Sequence, residues 1–363
     1  GKHALSDSAD LGRRIEEMAL FRSGADPYAD PDATYPPSAW FLFEVLIPDW
    51  SEPAVRGLWL ILNLGVLAGL TEGVRRWVSQ GQSRFWIAAV LLALMATKPV
   101  RAGLALGQFH LIPTALAVWA VVLIRDGKSR WAGICLGVAL VKPTMVLPIL
   151  AIWAVQGQFS ALVTAGGVQA GLWLGASAWL RKSPVALLSE WLRNAHAQEA
   201  AGTIDLPTLL NHWGFERLIP ANMATLLVLV ICLGWFYRLR KVEETGLASL
   251  ALVVSAVFAY HRHYDLVLLL PPLAWLASRE VPSWRTRFAM VLMLFLVAPV
   301  HVGPLRDLAA AYDLVFLVLC YGFLVALALE VNLKPVSSSA GFPRLPRTDR
   351  KVAAHAAGSP GPC

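Results

Sequence analysis

The stretch WAGICLGVALVKPTMVLPILAIWAV, residues 131–155, decides how the chain is threaded through a membrane. It is long and apolar enough to cross a bilayer once, or it forms two short helices that are broken at Lys142-Pro143. A proline removes a backbone hydrogen bond from a helix interior, and a lysine is costly within lipid, so this dipeptide favours the break. We therefore predict two helical arms, residues 131–141 and 144–155, connected toward the outer face.

Similar apolar runs recur along the chain. They occupy residues 57–73, 85–97, 109–124, 159–180, 220–236, 246–259, 265–278, 287–302 and 310–330. The composition is 57% hydrophobic and 15% charged, whereas an average soluble domain carries about 25% charged residues. This composition excludes an ordinary soluble domain and predicts an all-α fold, a polytopic transmembrane helical bundle.

The net charge of +7 lies in short clusters between the apolar runs rather than in one patch, so no nucleic-acid partner is expected.

The basic clusters test the threading, because Lys and Arg concentrate in cytoplasmic loops. Only the two-helix interpretation of residues 131–155 places all five clusters on one side. It gives about eleven spans in this chain, with the start outside and the tail inside. The chain opens GKHALSDSAD without a hydrophobic start, so we expect a preceding helix to be missing, which would make twelve spans. The clusters are Arg75/Arg76/Arg84, Arg125/Lys128/Arg130, Arg238/Arg240/Lys241, Arg279/Arg285/Arg287 and Lys334 to Lys351.

This topology divides the chain into three parts. Residues 1–52 form an outer-face loop with an amphipathic helix, and residues 53–331 form the transmembrane bundle with a large outer loop at 181–218. Residues 332–363 form a polar, Pro/Gly-rich cytoplasmic tail that we expect to be disordered. Most of the unusual polar residues fall on the outer face. We therefore expect a multi-pass protein of the plasma (inner) membrane that works at its outer or periplasmic face.

The first outer loop carries the densest pattern. Asp10 begins an amphipathic run that ends at Gly24, and then come Asp26-Pro27-Tyr28 and Tyr35-Pro36-Pro37. Aspartate is a common helix N-cap, a role that is compatible with catalysis. Asp26, Asp30 and Asp32 lack a compact metal-ligand spacing and are interpreted as turn residues, so neither a metal nor a cofactor is expected.

In this order the motifs resemble glycosyltransferase family 87, the polyprenol-phosphate-mannose-dependent mannosyltransferases of the multi-spanning GT-C class. Later landmarks extend the resemblance to about residue 275: Gly107-Gln108, Val141-Lys142-Pro143 and His263-Tyr264. The family's G-Q-x-N is here Gly107-Gln108-Phe109-His110. The resemblance implies inverting transfer of a hexose, with mannose as the candidate, from a polyprenyl-phosphate sugar to a lipid or glycan acceptor among the membrane lipids. Donor sugar, acceptor, linkage and oligomeric state stay open.

The resemblance also implies roles for individual residues. Asp10 is the general base that removes the acceptor's hydroxyl proton, with Asp7 as the alternative because the register depends on one sequence. Lys142 would bind the donor phosphate, since an unpaired ammonium between apolar helices is costly; snorkelling toward the interface is the alternative. The other residues predicted to bind the donor phosphate or substrate are Gln108, His261, His263, Tyr264, Lys98 and Arg101. The acceptor or loop candidates are Tyr28, Tyr35, Trp191 and Trp213.

Two other functions fit a helical bundle with polar groups. The first is a transporter or lipid flippase, although no pair of broken helices recurs in corresponding halves of the chain. The second is a non-catalytic partner in cell-envelope assembly, against which the intact Asp10 loop argues.

Overall fold

The structure, a computed structural model, describes residues 9–78, 97–199, 221–240, 243–258 and 263–278, together with Trp284, Gly322 and Leu327. The predicted runs at 287–302 and 310–330, most of the run at 85–97, and the tail lie outside these residues. Within the described ranges every regular element is helical, which confirms the all-α class there.

The described residues form the following helices: α1 (Ala9–Arg22), α2 (Ala39–Leu46), α3 (Glu52–Val78), α4 (Lys98–Leu106), α5 (Leu111–Arg125), α6 (Ser129–Ala139), α7 (Pro143–Val155), α8 (Phe159–Leu180), α9 (Pro184–Glu199), α10 (Ala221–Leu239), α11 (Glu244–Phe258) and α12 (Leu270–Ala277). Two 3-10 turns accompany them, Pro27–Ala29 and His263–Leu269.

Two of these helices, α3 and α8, are long and apolar enough to cross a membrane. In their most apolar windows only 33% and 17% of residues are buried, whereas the apolar core helix of a soluble protein is mostly covered. Large apolar side chains stay exposed on both, among them Ile61 and Val163. Such surfaces favour lipid as the surroundings. Five more apolar helices are shorter, so the count of eleven spans stays a prediction.

The predicted break at Lys142-Pro143 is confirmed. Helix α6 ends at Ala139, two residues before the predicted end, and α7 begins at Pro143, one residue before the predicted start. Proline fits the first position of a helix because the N–H that it lacks would have no intrahelical acceptor there. The side of the membrane on which this connection lies stays a prediction.

Helices α6 and α8 pack closely because α6 presents glycines to α8. A Cβ at Gly133 would lie 2.5 Å from the Ala161 carbonyl oxygen, and one at Gly137 would lie 3.0 Å from that of Ala165. Small residues let membrane helices approach to backbone contact. On the far side of the bundle, α11 is buried along most of its described length and packs on α7 and α12.

The amphipathic helix predicted in the first loop is α1. It ends at Arg22, and the turn at Gly24 terminates it as predicted: the positive φ of 75° at Gly24 permits the Ala25 N–H to bond the Leu20 carbonyl at 3.0 Å. Asp10 lies in the first turn, one residue inside the helix, rather than at the N-cap position. The buried side of α1 packs with aromatic residues of α2 in a hydrophobic cluster separate from that of the bundle. This cluster includes Leu11, Met18, Phe21, Trp40, Phe43 and Phe109.

The α6–α8 contact predicts different outcomes for two glycine substitutions. Gly133→Ala should destabilise the protein by about 1–3 kcal/mol, because the new methyl group meets backbone atoms that cannot rotate away. Gly166→Ala, in α8, has nothing within 4 Å of the added Cβ and should be neutral or stabilising. Thermal unfolding of the purified variants in detergent measures both. Equal midpoints would contradict the close packing.

Candidate active site

A cavity opens between the α1–α2 segment and the helical bundle. Its volume of about 170 Å³ far exceeds the roughly 10–15 Å³ that one water needs. The lining combines three carboxylates and three cations with amide, hydroxyl and aromatic groups. It comprises Asp10, Arg13, Arg14, Asp32, Thr34, Tyr35, Pro36, Gly107, Gln108, Phe109, Val141, Lys142, Pro143, Thr144, Trp191, Ala195 and Asp265.

Asp10 is held by the turn that follows α4. Gly107 has a φ of 73°, and a Cβ there would overlap the Cβ of Leu11, so only glycine lets the turn dock against α1. This contact brings Gln108 beside Asp10, and the Gln108 side-chain Nε2 donates a hydrogen bond to Asp10 Oδ2. Gln108 is buried while Asp10 is half-buried. The carboxylate therefore has a fixed orientation on the cavity wall.

His110, the residue that departs from the family's asparagine, is fully buried behind this turn. Its imidazole packs on Gly103 so closely that any Cβ at Gly103 would overlap the ring. His110 thus fills space between α4 and the start of α5 and does not line the cavity.

Lys142 lines the cavity and forms an ion pair with Asp265 of the second 3-10 turn. The Lys142 side chain is 14% exposed and that of Asp265 is 1% exposed. The assumption that Lys142 is unpaired was therefore wrong: its partner is a carboxylate 123 positions further along the chain. The snorkelling interpretation stays a prediction, although the ammonium already contacts a buried group.

Two arginines of α1 complete the charged lining. Arg13 pairs with Asp32 at 2.9 Å, and both are partly exposed. Arg14 is buried, pairs with Glu17, and lies with its guanidinium carbon 5.0 Å from the centre of the Tyr35 ring. Burial raises the pKa of Glu17 to about 8, an effect that the charge of Arg14 only partly offsets. Sequence reasoning missed Arg14, although its spacing of four residues from Asp10 puts both on one helix face.

Helices α8 and α9 hold the first loop in place. Lys182 pairs with Asp26 at 2.5 Å and with Glu190 at 2.7 Å. Burial lowers the pKa of Lys182, but the hydrogen bonds to these two carboxylates raise it by more. The Asn194 amide donates to the carbonyls of Tyr28 at 3.1 Å and Asp30 at 2.9 Å. The loop is therefore fixed by partners far away in the sequence.

The three loop aspartates occupy turns, as predicted. Asp26 Oδ1 accepts from the Tyr28 N–H at 3.0 Å, and Asp30 Oδ1 accepts from the Asp32 N–H at 2.9 Å. Among the residues that the structure describes, no three His, Cys, Asp or Glu side chains are grouped to hold a metal ion.

The aromatic candidates divide into two kinds. Tyr35 and Trp191 line the cavity, and the Trp191 indole N–H donates to the Thr34 carbonyl at 2.8 Å. Tyr28 is buried behind the cavity, where its hydroxyl donates to the Tyr35 carbonyl at 2.7 Å. This position makes Tyr28 a support for the loop rather than a surface for an acceptor.

Among the remaining predicted residues, Arg101 has a described side chain. Lys98 begins α4, and Arg101 is exposed on that helix, away from the cavity. His263 and Tyr264 open the 3-10 turn that carries Asp265. His261, Trp213 and Asp7 are outside the described residues.

A family model matches residues 33–272, and its description is glycosyltransferase family 87. The chain belongs to glycosyltransferase family 87. This confirms the family resemblance and supports glycosyltransferase activity, and with the two apolar helices it suggests a membrane protein. No curated protein matches the chain. The matched region of this family 87 protein begins at residue 33, so Asp10 lies before it. Asp10 is connected to the matched region by its hydrogen bond with Gln108.

The close contact at Gly107 predicts the effect of adding one methyl group. Gly107→Ala should destabilise the protein by about 1–3 kcal/mol and lower sugar transfer, because α1 must move away and Gln108 leaves Asp10. Thermal unfolding in detergent and a transfer assay measure the two effects.

Gly127→Ala is the matched control. Gly127 has a similar φ of 72° but nothing lies within 4 Å of an added Cβ, so this variant adds backbone strain without displacing α1. If the two variants lose transfer equally, docking at Gly107 does not hold the site together.

Proposed function

We propose that this protein is a membrane glycosyltransferase of the GT-C type with its cavity on the outer face of the plasma membrane. It moves a hexose, with mannose as the candidate, from a polyprenyl-phosphate sugar to a lipid or glycan acceptor, and it inverts the anomeric configuration. The family supports the transfer of a sugar. The polyprenyl-phosphate donor, the outer face of the membrane and the inversion of configuration are what we propose.

One observation carries this proposal. The Asp10 carboxylate, fixed by Gln108, lines the same cavity as the Lys142 ammonium, although the two lie in distant parts of the sequence. A general base and a cation for the leaving phosphate are the two groups that inverting transfer from a phosphate carrier needs.

In the proposed reaction the acceptor hydroxyl gives its proton to Asp10. Its oxygen forms the new bond to the anomeric carbon while the bond from that carbon to the phosphate oxygen breaks on the opposite face. The bonding electrons leave with the polyprenyl phosphate, whose charge therefore grows. Gln108 keeps the carboxylate aimed at the acceptor, since its amide donates to one oxygen and leaves the other for the proton.

Lys142 stabilises the charge that develops on the leaving group. An ammonium has three N–H donors, so it can hold the Asp265 carboxylate and a phosphate oxygen at once. Asp265 thereby fixes the position of Lys142 in the resting site. Lys142 can therefore bind the leaving phosphate while it stays paired with Asp265, which acts as a positioning residue.

The ring of Trp191 offers an apolar surface to the acceptor. Its indole N–H is bound to the loop at Thr34, so the ring is held at the cavity wall. Sugar rings present C–H faces that pack on such surfaces, and an aromatic ring that is already fixed loses little entropy on binding.

The base is tested by Asp10→Asn. Asparagine keeps the shape of the side chain and can still accept from Gln108, but it cannot take a proton, so transfer should fall by about 10²–10⁴-fold while the protein stays folded. The measurement is glycolipid formation by the purified variant, with thermal unfolding as the check on folding.

Asp7→Asn is the control and should be tolerated. If Asp7→Asn is inactive and Asp10→Asn keeps wild-type turnover, the register of the base is wrong by three residues. If both remain active, neither carboxylate is the base.

The role of Lys142 requires a paired design. Lys142→Ala alone should destabilise the protein by about 3–5 kcal/mol, because Asp265 stays buried without this ammonium. Lys142→Met combined with Asp265→Asn removes both charges and should regain most of that stability, while KM for the donor stays raised. A double variant with normal stability and normal donor use would show that the pair is structural only.

A further inference from the structure

We infer that Arg14 is the principal phosphate-binding residue of this cavity and that Glu17 is an internal competitor for it. The ligand is a phosphate ester, carried either by the polyprenyl donor or by a phospholipid acceptor. This inference rests on the proposed function, because it names the group that holds the charged part of a substrate.

Arg14 stands between a buried carboxyl group and the cavity. Its side chain is 7% exposed and lines the cavity, whereas Glu17, its ion-pair partner, is 1% exposed and lies behind the lining. The Arg14 guanidinium lies over the Tyr35 ring, which is also on the cavity wall. This contact restricts the orientation of the guanidinium plane. A planar fork of N–H donors matches two phosphate oxygens, which the single ammonium of Lys142 cannot do.

The Glu17 carboxyl group is an uncommon partner for an arginine. Apart from Arg14, nothing in the described part of the chain satisfies its two buried oxygens. A carboxylate in this position is costly to ionise, and burial raises the pKa of Glu17 to about 8. At neutral pH the group is therefore mostly protonated, and the charge of Arg14 is left largely for a ligand.

The charges around Glu17 come from two directions. Arg13 and Arg14 on its own helix favour its ionisation, whereas Asp30 and Asp32 of the following loop oppose it. The hydroxyl groups of Tyr28 and Tyr35 also face it, and burial keeps the pKa of both above the ordinary range, so they stay neutral. Neither tyrosine therefore titrates near pH 8 in place of Glu17.

The other two cations of the cavity are less suited to this task. Arg13 and its partner Asp32 are both more than a third exposed, so solvent weakens any contact that they make with a phosphate. Lys142 is already paired with the nearly inaccessible carboxylate of Asp265. Of these three cations, only Arg14 is buried, has a planar guanidinium group and is paired with a carboxyl group that is mostly protonated at neutral pH.

The test measures binding rather than turnover. The full-length protein in detergent is titrated with a short-chain polyprenyl phosphate, and in a second arm with phosphatidylglycerol. Arg14→Gln should weaken binding by about tenfold or more, the effect of losing a charge-assisted pair of hydrogen bonds. Arg14→Lys should be intermediate. Arg22→Gln removes a paired arginine from the last turn of the same helix, outside the cavity, and should bind like the wild type.

The pH profile gives a readout that a structural role for Arg14 would not produce. Wild-type affinity should fall severalfold as the pH rises through about 8, because ionised Glu17 then competes with the ligand for Arg14. Glu17→Gln keeps the shape of the side chain and should remove this fall. It also leaves Arg14 in place, so the inference can be tested even if Arg14→Gln does not fold.

The outcomes separate the two claims. Equal binding by the wild type and Arg14→Gln, or identical pH profiles for the wild type and Glu17→Gln, overturns the inference and leaves the proposed function standing. Arg14-dependent binding of phosphatidylglycerol but not of polyprenyl phosphate supports Arg14 and assigns the phosphate to the acceptor, against the proposed donor. Binding of neither lipid by the wild type overturns the inference.

Discussion

The contact between Gly107 and Leu11 is the constraint on which the site depends. The turn after α4 lies against the backbone of α1 there, with no room for a side chain at Gly107. The left-handed conformation of Gly107 directs Gln108 toward Asp10. The hydrogen bond from Gln108 then joins two positions 98 residues apart. A helix of 14 residues is only marginally stable alone, so α1 owes its position to this contact and to the aromatic cluster beneath it.

Charge in the cavity is arranged in pairs. Each cation of the lining faces a carboxylate, and the partners come from three different parts of the chain: Asp32 from the first loop, Glu17 from α1 itself and Asp265 from the last 3-10 turn. Buried ion pairs contribute little net stability, since desolvation offsets most of the attraction, but they hold side chains in one geometry. The resting site is thus fixed in shape. A phosphate then enters by replacing or sharing a carboxylate, which is easiest where that carboxylate accepts a proton.

Local features were predictable from the sequence, and long-range partners were not. The break before Pro143, the turn at Gly24 that terminates α1 and the turn roles of Asp26 and Asp30 follow from the backbone chemistry of those residues, and all were confirmed. Nothing in the sequence around Lys142 indicates Asp265, because the pairing depends on tertiary packing: α11 packs on both α7 and the second 3-10 turn. The same holds for Asn194, whose amide fixes the first loop from α9. Several apolar helices are too short to be identified as spans by length alone, so their number depends on tertiary context as well.

The central claim is that the cavity transfers a sugar rather than carrying a lipid across the membrane. The most direct test reconstitutes the purified protein in vesicles with a radiolabelled polyprenyl-phosphate sugar and a membrane-lipid extract. Mass spectrometry then identifies the products, and NMR determines the anomeric configuration of any new glycolipid. We expect a new glycolipid that contains the labelled sugar with its anomeric configuration inverted, together with free polyprenyl phosphate. Movement of the intact labelled donor to the opposite leaflet, with no new glycolipid, would contradict it and would identify the protein as a transporter.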